Sequence, residues 1–131
     1  MKPYAKLYVS SPAVRGIFGN GKWQLLTAVN AHGSISKAAA ALKRSYRKAW
    51  GDILVAEQAI GQPLVRKSRG GACGGRTEIT DYCRALLCAW EKHHSAMAKA
   101  QDASYNRHLK ELLENPASYR APKAAHAKGG R

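Results

Sequence analysis

A mainly α fold with one small β-hairpin is what the sequence predicts, and three observations predict it. Apolar residues recur at helical spacing in several segments between Trp23 and Leu112. Glycine and proline separate those segments, at Gly33, at Gly61 to Pro63 and at Asn115-Pro116. A glycine-rich stretch flanked by arginines, residues 69–76, divides two short runs of strand-like residues. The 131 residues, 45% of them hydrophobic, suffice for one domain with an appendage. No apolar run approaches the roughly 18 residues of a membrane span, and the N-terminus carries no apolar leader stretch. Three cysteines without a paired framework point to a reducing, cytoplasmic setting.

In chain order, residues 4–9 alternate and predict a strand, with Val14 to Phe18 returning on it through Ser10-Ser11-Pro12. Gly19-Asn20-Gly21-Lys22 resembles a phosphate loop only superficially. Trp23 follows the lysine where Ser or Thr is required, so a turn before a helix is expected. The first helix is predicted over about 22–31, with Trp23, Leu26 and Val29 inward and His32-Gly33 as its stop. Ser36 is read as the N-cap of a short helix, 37–42, with Ala38, Ala39 and Leu42 on its inner face. After a Lys43-Arg44 turn, Ser45 caps a third helix from Tyr46 to about Ala59. Its apolar positions are Tyr46, Ala49, Trp50, Ile53, Leu54 and Ile60, with Trp50 read as core. For Tyr46, a phosphate contact and core packing are both open. Residues 64–68 and 77–79 are the hairpin strands. Thr80 caps a long helix that Asn115-Pro116 stops, predicted at about 35 residues.

Two helices joined by a four-residue turn, the second opening on polar and basic residues, form a helix-turn-helix pattern, and a hairpin placed after them is a wing. A small-faced first helix can brace the second, whose N-terminal turn then reaches base edges in the major groove. Charge agrees with this. The formal net charge is +14. Residues 1–51 hold nine Lys and Arg and no acid, and residues 115–131 hold four more with no acid. Such an excess implies a polyanionic partner and excludes the charge balance of a typical metabolic enzyme. The long helix would extend some 50 Å at 1.5 Å per residue, more than one small domain can cover. A second copy of it, in a homodimer, is the expected partner. Leu86, Trp90, Met97, Tyr105, Leu109 and Leu112 are the expected dimer residues. The division expected is a DNA-binding domain over 1–79, a dimerisation helix over 80–114 and a disordered basic tail over 115–131.

Gly33-Ser34-Ile35-Ser36, Ala38-Ala39, Ser45-Tyr46-Arg47-Lys48-Ala49-Trp50, Pro63-Leu64-Val65 and the paired glycines Gly70-Gly71 and Gly74-Gly75 resemble one known family. It is the N-terminal DNA-binding domain of the ModE molybdate-responsive regulators, which are related to LysR-type regulators. The resemblance covers about residues 4–95 and implies a winged helix-turn-helix that binds double-stranded DNA and dimerises through its long helix. The candidate DNA contacts on the two helices and their turn are Ser34, Ser36, Lys37, Lys43, Arg44, Ser45, Tyr46, Arg47 and Lys48. On the wing they are Arg66, Lys67, Arg69, Gly70, Gly71 and Arg76. The family's oxyanion-binding domain has no counterpart in this chain, so a stand-alone regulator without molybdate or tungstate binding is expected. At Cys83 the family usually has glycine.

Other chemistries find little material. Cys73, Cys83 and Cys88 contain no C-x-x-C pair, and neither a metal nor another cofactor is expected. Cys83 and Cys88 are read as incidental, while Cys73, between Arg69 and Arg76, could be a reactive thiol. His93-His94 is read as one packed and one solvated residue. Eight dispersed acids suggest no catalytic pair, so no enzyme activity is expected. The competing function is a nonspecific nucleic-acid-coating or RNA-binding protein using the same charge. A thiol- or metal-responsive sensor is a weaker third.

Overall fold

A computed structural model describes residues 1–68 and 75–123. They divide into two units, one of residues 6–94 and one that joins residues 1–5 to residues from 95 onward. In the first unit, β1 (Tyr8–Val9) pairs antiparallel with β2 (Phe18–Gly19). The strand predicted over 4–9 shrinks to two residues because β2 offers only two before the helix begins. Tyr8 lies opposite Gly19, where an added Cβ would fall 2.9 Å from the Tyr8 Cβ, so this crossing needs glycine. Three helices follow, α1 (Asn20–His32), α2 (Ile35–Ala41) and α3 (Tyr46–Ile60). Gly33 ends α1 in the left-handed region, at φ 72°, and its N–H donates to the Val29 carbonyl.

Ser34, not Ser36, is the N-cap of α2, its hydroxyl accepting from the Lys37 N–H at 3.1 Å. The earlier start brings Ile35 into the core as the first helical residue. Ser45 caps α3 in the same way, accepting from the Lys48 N–H at 3.0 Å. The antiparallel hairpin β3 (Val65–Ser68) and β4 (Arg76–Ile79) then forms the wing, Arg66 opposite Glu78. Its expected tip, with Arg69, Gly70, Gly71 and Cys73, lies outside the described residues. Glu57 of α3 fixes the approach to β3 by accepting from the N–H groups of Leu64 and Val65 at 2.7 and 3.2 Å.

The core of this unit joins Leu25, Leu26 and Val29 of α1 to Ala38 and Ala39 of α2 and to Ala49, Ile53 and Ala56 of α3. Leu64 and Ile79 at the wing base complete it, together with the start of α4 (Asp81–His108). Thr80 caps that helix, its hydroxyl accepting from the Cys83 N–H at 3.1 Å and donating to the Pro63 carbonyl at 2.8 Å. Cys83 is buried, and burial pushes its thiol up to about 12. Trp50 is a correction. It is 41% exposed, because the buried line of α3 runs through Ala49, Ile53 and Ala56, and Trp50 stands about 100° round the helix from Ala49.

Trp90 is a second correction. It belongs to the core, 5% exposed, with its ring edge-on to Phe18 at 5.4 Å and its indole N–H donating to the Asn20 side-chain oxygen at 3.4 Å. Leu86 packs half-buried against the same core. Trp90 is thereby committed within the chain, and the packing of this stretch explains why the first half of α4 groups with residues 6–94.

In the other unit the predicted single helix is interrupted at Leu109, and α5 (Lys110–Glu114) follows. The Tyr105 hydroxyl donates to Glu114 at 2.7 Å. In a straight helix those positions would lie about 13.5 Å apart along the axis and on opposite sides, so the bond requires the break. Tyr105 is thereby 7% exposed and committed within the chain, which corrects its place, like that of Trp90, among the expected dimer residues. Met97, Leu109 and Leu112 are exposed. A 3-10 turn, Pro116–Ser118, follows Asn115. Of the expected tail, residues 124–131 lie outside the described residues.

Candidate nucleic-acid interface

The first turn of α3 offers four consecutive exposed residues, Ser45, Tyr46, Arg47 and Lys48. Their exposure follows from what lies beneath. Ala49 is completely buried, so the residues before it face outward as α3 seats on α2. The small faces of Ala38 and Ala39 permit that close seating. Tyr46, for which two roles were open, is 54% exposed and therefore not core. Tyr46 and Trp50, at i and i+4, are both exposed, an aromatic addition to the α3 surface that sequence reasoning missed. A signal was present. An alanine-lined helix face leaves a neighbouring tryptophan outside it.

Ser36 and Lys37 are exposed on the first turn of α2, and Lys43 is exposed in the connecting turn at φ 57°. Arg44 is tied down rather than free, its guanidinium donating to the Gly21 carbonyl at 3.0 Å and to the Gln24 side-chain oxygen at 3.1 Å. The hydroxyls of Ser34 and Ser45 are occupied as caps, so their contribution is to fix the helix starts.

The wing is fastened at the turn between α1 and α2. The Thr77 N–H donates to the Gly33 carbonyl at 2.9 Å, and the Arg76 side chain lies over Gly33. An added Cβ there would stand 2.7 Å from the Arg76 Cζ, so glycine serves both the positive φ and the arginine. Arg76 is thus placed next to the Ser34–Lys37 turn. Arg66 pairs with Glu78 across the hairpin at 3.6 Å, which partly offsets its charge, and Lys67 is exposed. Among the described residues no group of three or more metal-ligating side chains gathers. No described helix is long and apolar enough to cross a membrane.

Three helices with an exposed polar start to the third, and a two-stranded wing bonded to the turn before the second, define a winged helix-turn-helix architecture. Residues 21–84, just under half of the chain, match the family of bacterial regulatory helix-turn-helix proteins of lysR type. The chain is 35% identical over 91 residues to the molybdenum transport protein ModE of Azotobacter vinelandii, covering 70% of this chain and 31% of that protein. It is 33% identical over 82 residues to the molybdenum-pterin-binding protein MopA of Rhodobacter capsulatus, covering 63% of this chain and 31% of that one. Among solved structures, ArgP from Mycobacterium tuberculosis is similar at 24% identity with a TM-score of 0.49, over 64% of this chain and 29% of that chain. The chain spans about a third of the length of the curated relatives it matches.

Proposed function

We propose that this chain is a sequence-specific transcription regulator that binds double-stranded DNA as a homodimer. One observation carries the reading: Ser45 to Lys48 stand exposed on a helix start held rigidly by buried alanines, within a segment of the lysR regulatory type. In this reading the first turn of α3 enters the major groove, with Arg47 as base reader, and Ser36, Lys37 and Lys43 border it. The wing meets the flanking backbone through Lys67, Arg76 and the tip arginine Arg69. Residues 1–79 form the DNA-binding part and residues 80–114 the dimerising part, through the exposed Met97, Leu109 and Leu112. Residues 115–131 add a basic arm. Titration of duplex DNA, single-stranded RNA and competitor DNA at near-physiological salt tests this. A regulator prefers its own duplex by roughly 10³ or more, whereas equal affinity for all three would identify a nonspecific coating protein.

A further inference from the structure

Five of the nine cationic side chains in the acid-free first 51 residues converge on one open cleft of about 610 Å³ in the unit of residues 6–94. They are Lys6, Arg15, Lys22, Arg44 and Lys48, from the N-terminal hairpin, α1, the helix-turn-helix turn and α3. One acid, Asp52, also lines it and pairs with Lys48 at 3.7 Å. Among the described residues the other four have no carboxylate within 4.0 Å. Three are nonetheless held in place by neutral groups. Lys22 donates to the Gly16 carbonyl at 2.8 Å, Arg44 to the Gly21 carbonyl, and Arg15 to the Tyr8 hydroxyl at 3.2 Å. A lysine ammonium has three donors and a guanidinium five, so each keeps donors in reserve. Beside these cations the N-terminus of α1 has no side-chain cap and no acid in its first turn. Like charges brought together and oriented without counter-charges repel one another, an arrangement that a multiply charged anion relieves.

We propose that this cleft is a phosphate-binding site. Lys48 belongs both to the cleft and to the first turn of α3, so a duplex whose groove receives α3 carries its flanking backbone to the cleft. The same chemistry would hold a free polyphosphate. The duplex assignment rests on the DNA-binding reading above, and the free-ligand assignment does not.

The test uses the full chain and two variants, Arg15→Gln with Lys22→Gln, and Lys6→Gln with Arg15→Gln. In the second, neither side chain bonds to a backbone carbonyl, so it remains informative if loss of the Lys22 bond unfolds the first. Each is titrated with duplex DNA across a salt series, and separately with inorganic tripolyphosphate by calorimetry. Each phosphate contact adds about 0.9 to the slope of log K against log salt, so either variant lowers that slope by about 1.8 per subunit if the cleft holds duplex phosphates. A lowered duplex slope without tripolyphosphate binding assigns the cleft to DNA. Tripolyphosphate binding that both variants weaken tenfold or more assigns it to a free ligand. Variants that match wild type in both titrations overturn the cleft, and wild-type duplex binding then leaves the α3 reading standing. If wild type binds no duplex, the α3 reading fails and tripolyphosphate alone decides, absence of binding overturning the cleft too.

Discussion

Trp90→Ala separates the core assignment of this residue from the interface role its place on a long helix suggested. The indole is 5% exposed, meets Phe18 edge-on at 5.4 Å and donates to Asn20 at 3.4 Å. Truncating a buried tryptophan to alanine costs about 3–5 kcal/mol, combining lost burial with the cavity left behind. The edge-on ring contact accounts for about 0.5–1.5 kcal/mol of that. Against a total stability of about 5–15 kcal/mol, the loss is about a fifth or more. For a unit of this size each kcal/mol moves Tm by about 4–8 °C, so the expected fall is on the order of 20 °C. Trp90→Phe keeps the ring contact and loses the N–H donor, at a cost nearer 1–2 kcal/mol. The assay is urea denaturation followed by circular dichroism, with sedimentation in parallel. Met97→Glu, at a 40% exposed position, changes monomer stability by less than about 0.5 kcal/mol and weakens self-association. A Trp90→Ala protein of wild-type stability that had become monomeric would refute the core assignment.

Arg47→Ala is expected to cost about 1–3 kcal/mol on the preferred duplex and little on random duplex, measured by competition binding; equal losses would make Arg47 a phosphate holder. Gly33→Ala forces a Cβ into a φ of 72° and against Arg76, so urea denaturation should show a loss of about 1–2 kcal/mol or more. The hydrogen bond from Tyr105 holds the Glu114 carboxyl below its ordinary value of 4.5. A depressed folded value stabilises the ionised form, so this contribution is complete above the ordinary value and disappears as pH falls through the lowered one. Hydrogen exchange around α5, corrected for intrinsic rates, should therefore accelerate only below about pH 4.5, and Glu114→Gln should abolish that dependence.

The order of elements was legible because local rules decide it. Ser45 followed by a helical stripe, Gly33 at a helix end and Thr80 before α4 all act within a turn of themselves. What escaped the sequence depends on partners distant along the chain. Trp90 has the same spacing as Met97, and only contact with Phe18 and Asn20, some 70 residues away, makes it core. Trp50 looked like core because it is large and apolar, but α1 and α2 approach the alanines beside it. The candidate α3 residues were readable since exposure at a capped helix start follows from the buried position after it. The basic cleft was not, because its cations come from segments as far apart as Lys6 and Lys48. Gly19 to Lys22, set aside as a phosphate loop, line it without forming that motif.

Selection of duplexes from a random-sequence pool by the wild-type chain, at near-physiological salt, tests the central claim most directly. The account predicts enrichment of one sequence with two related half-sites spaced by about 10–10.5 base pairs, bound roughly 10³-fold or more tighter than its scrambled form. A pool that stays random after repeated rounds, with scrambled duplex bound equally well, would contradict it.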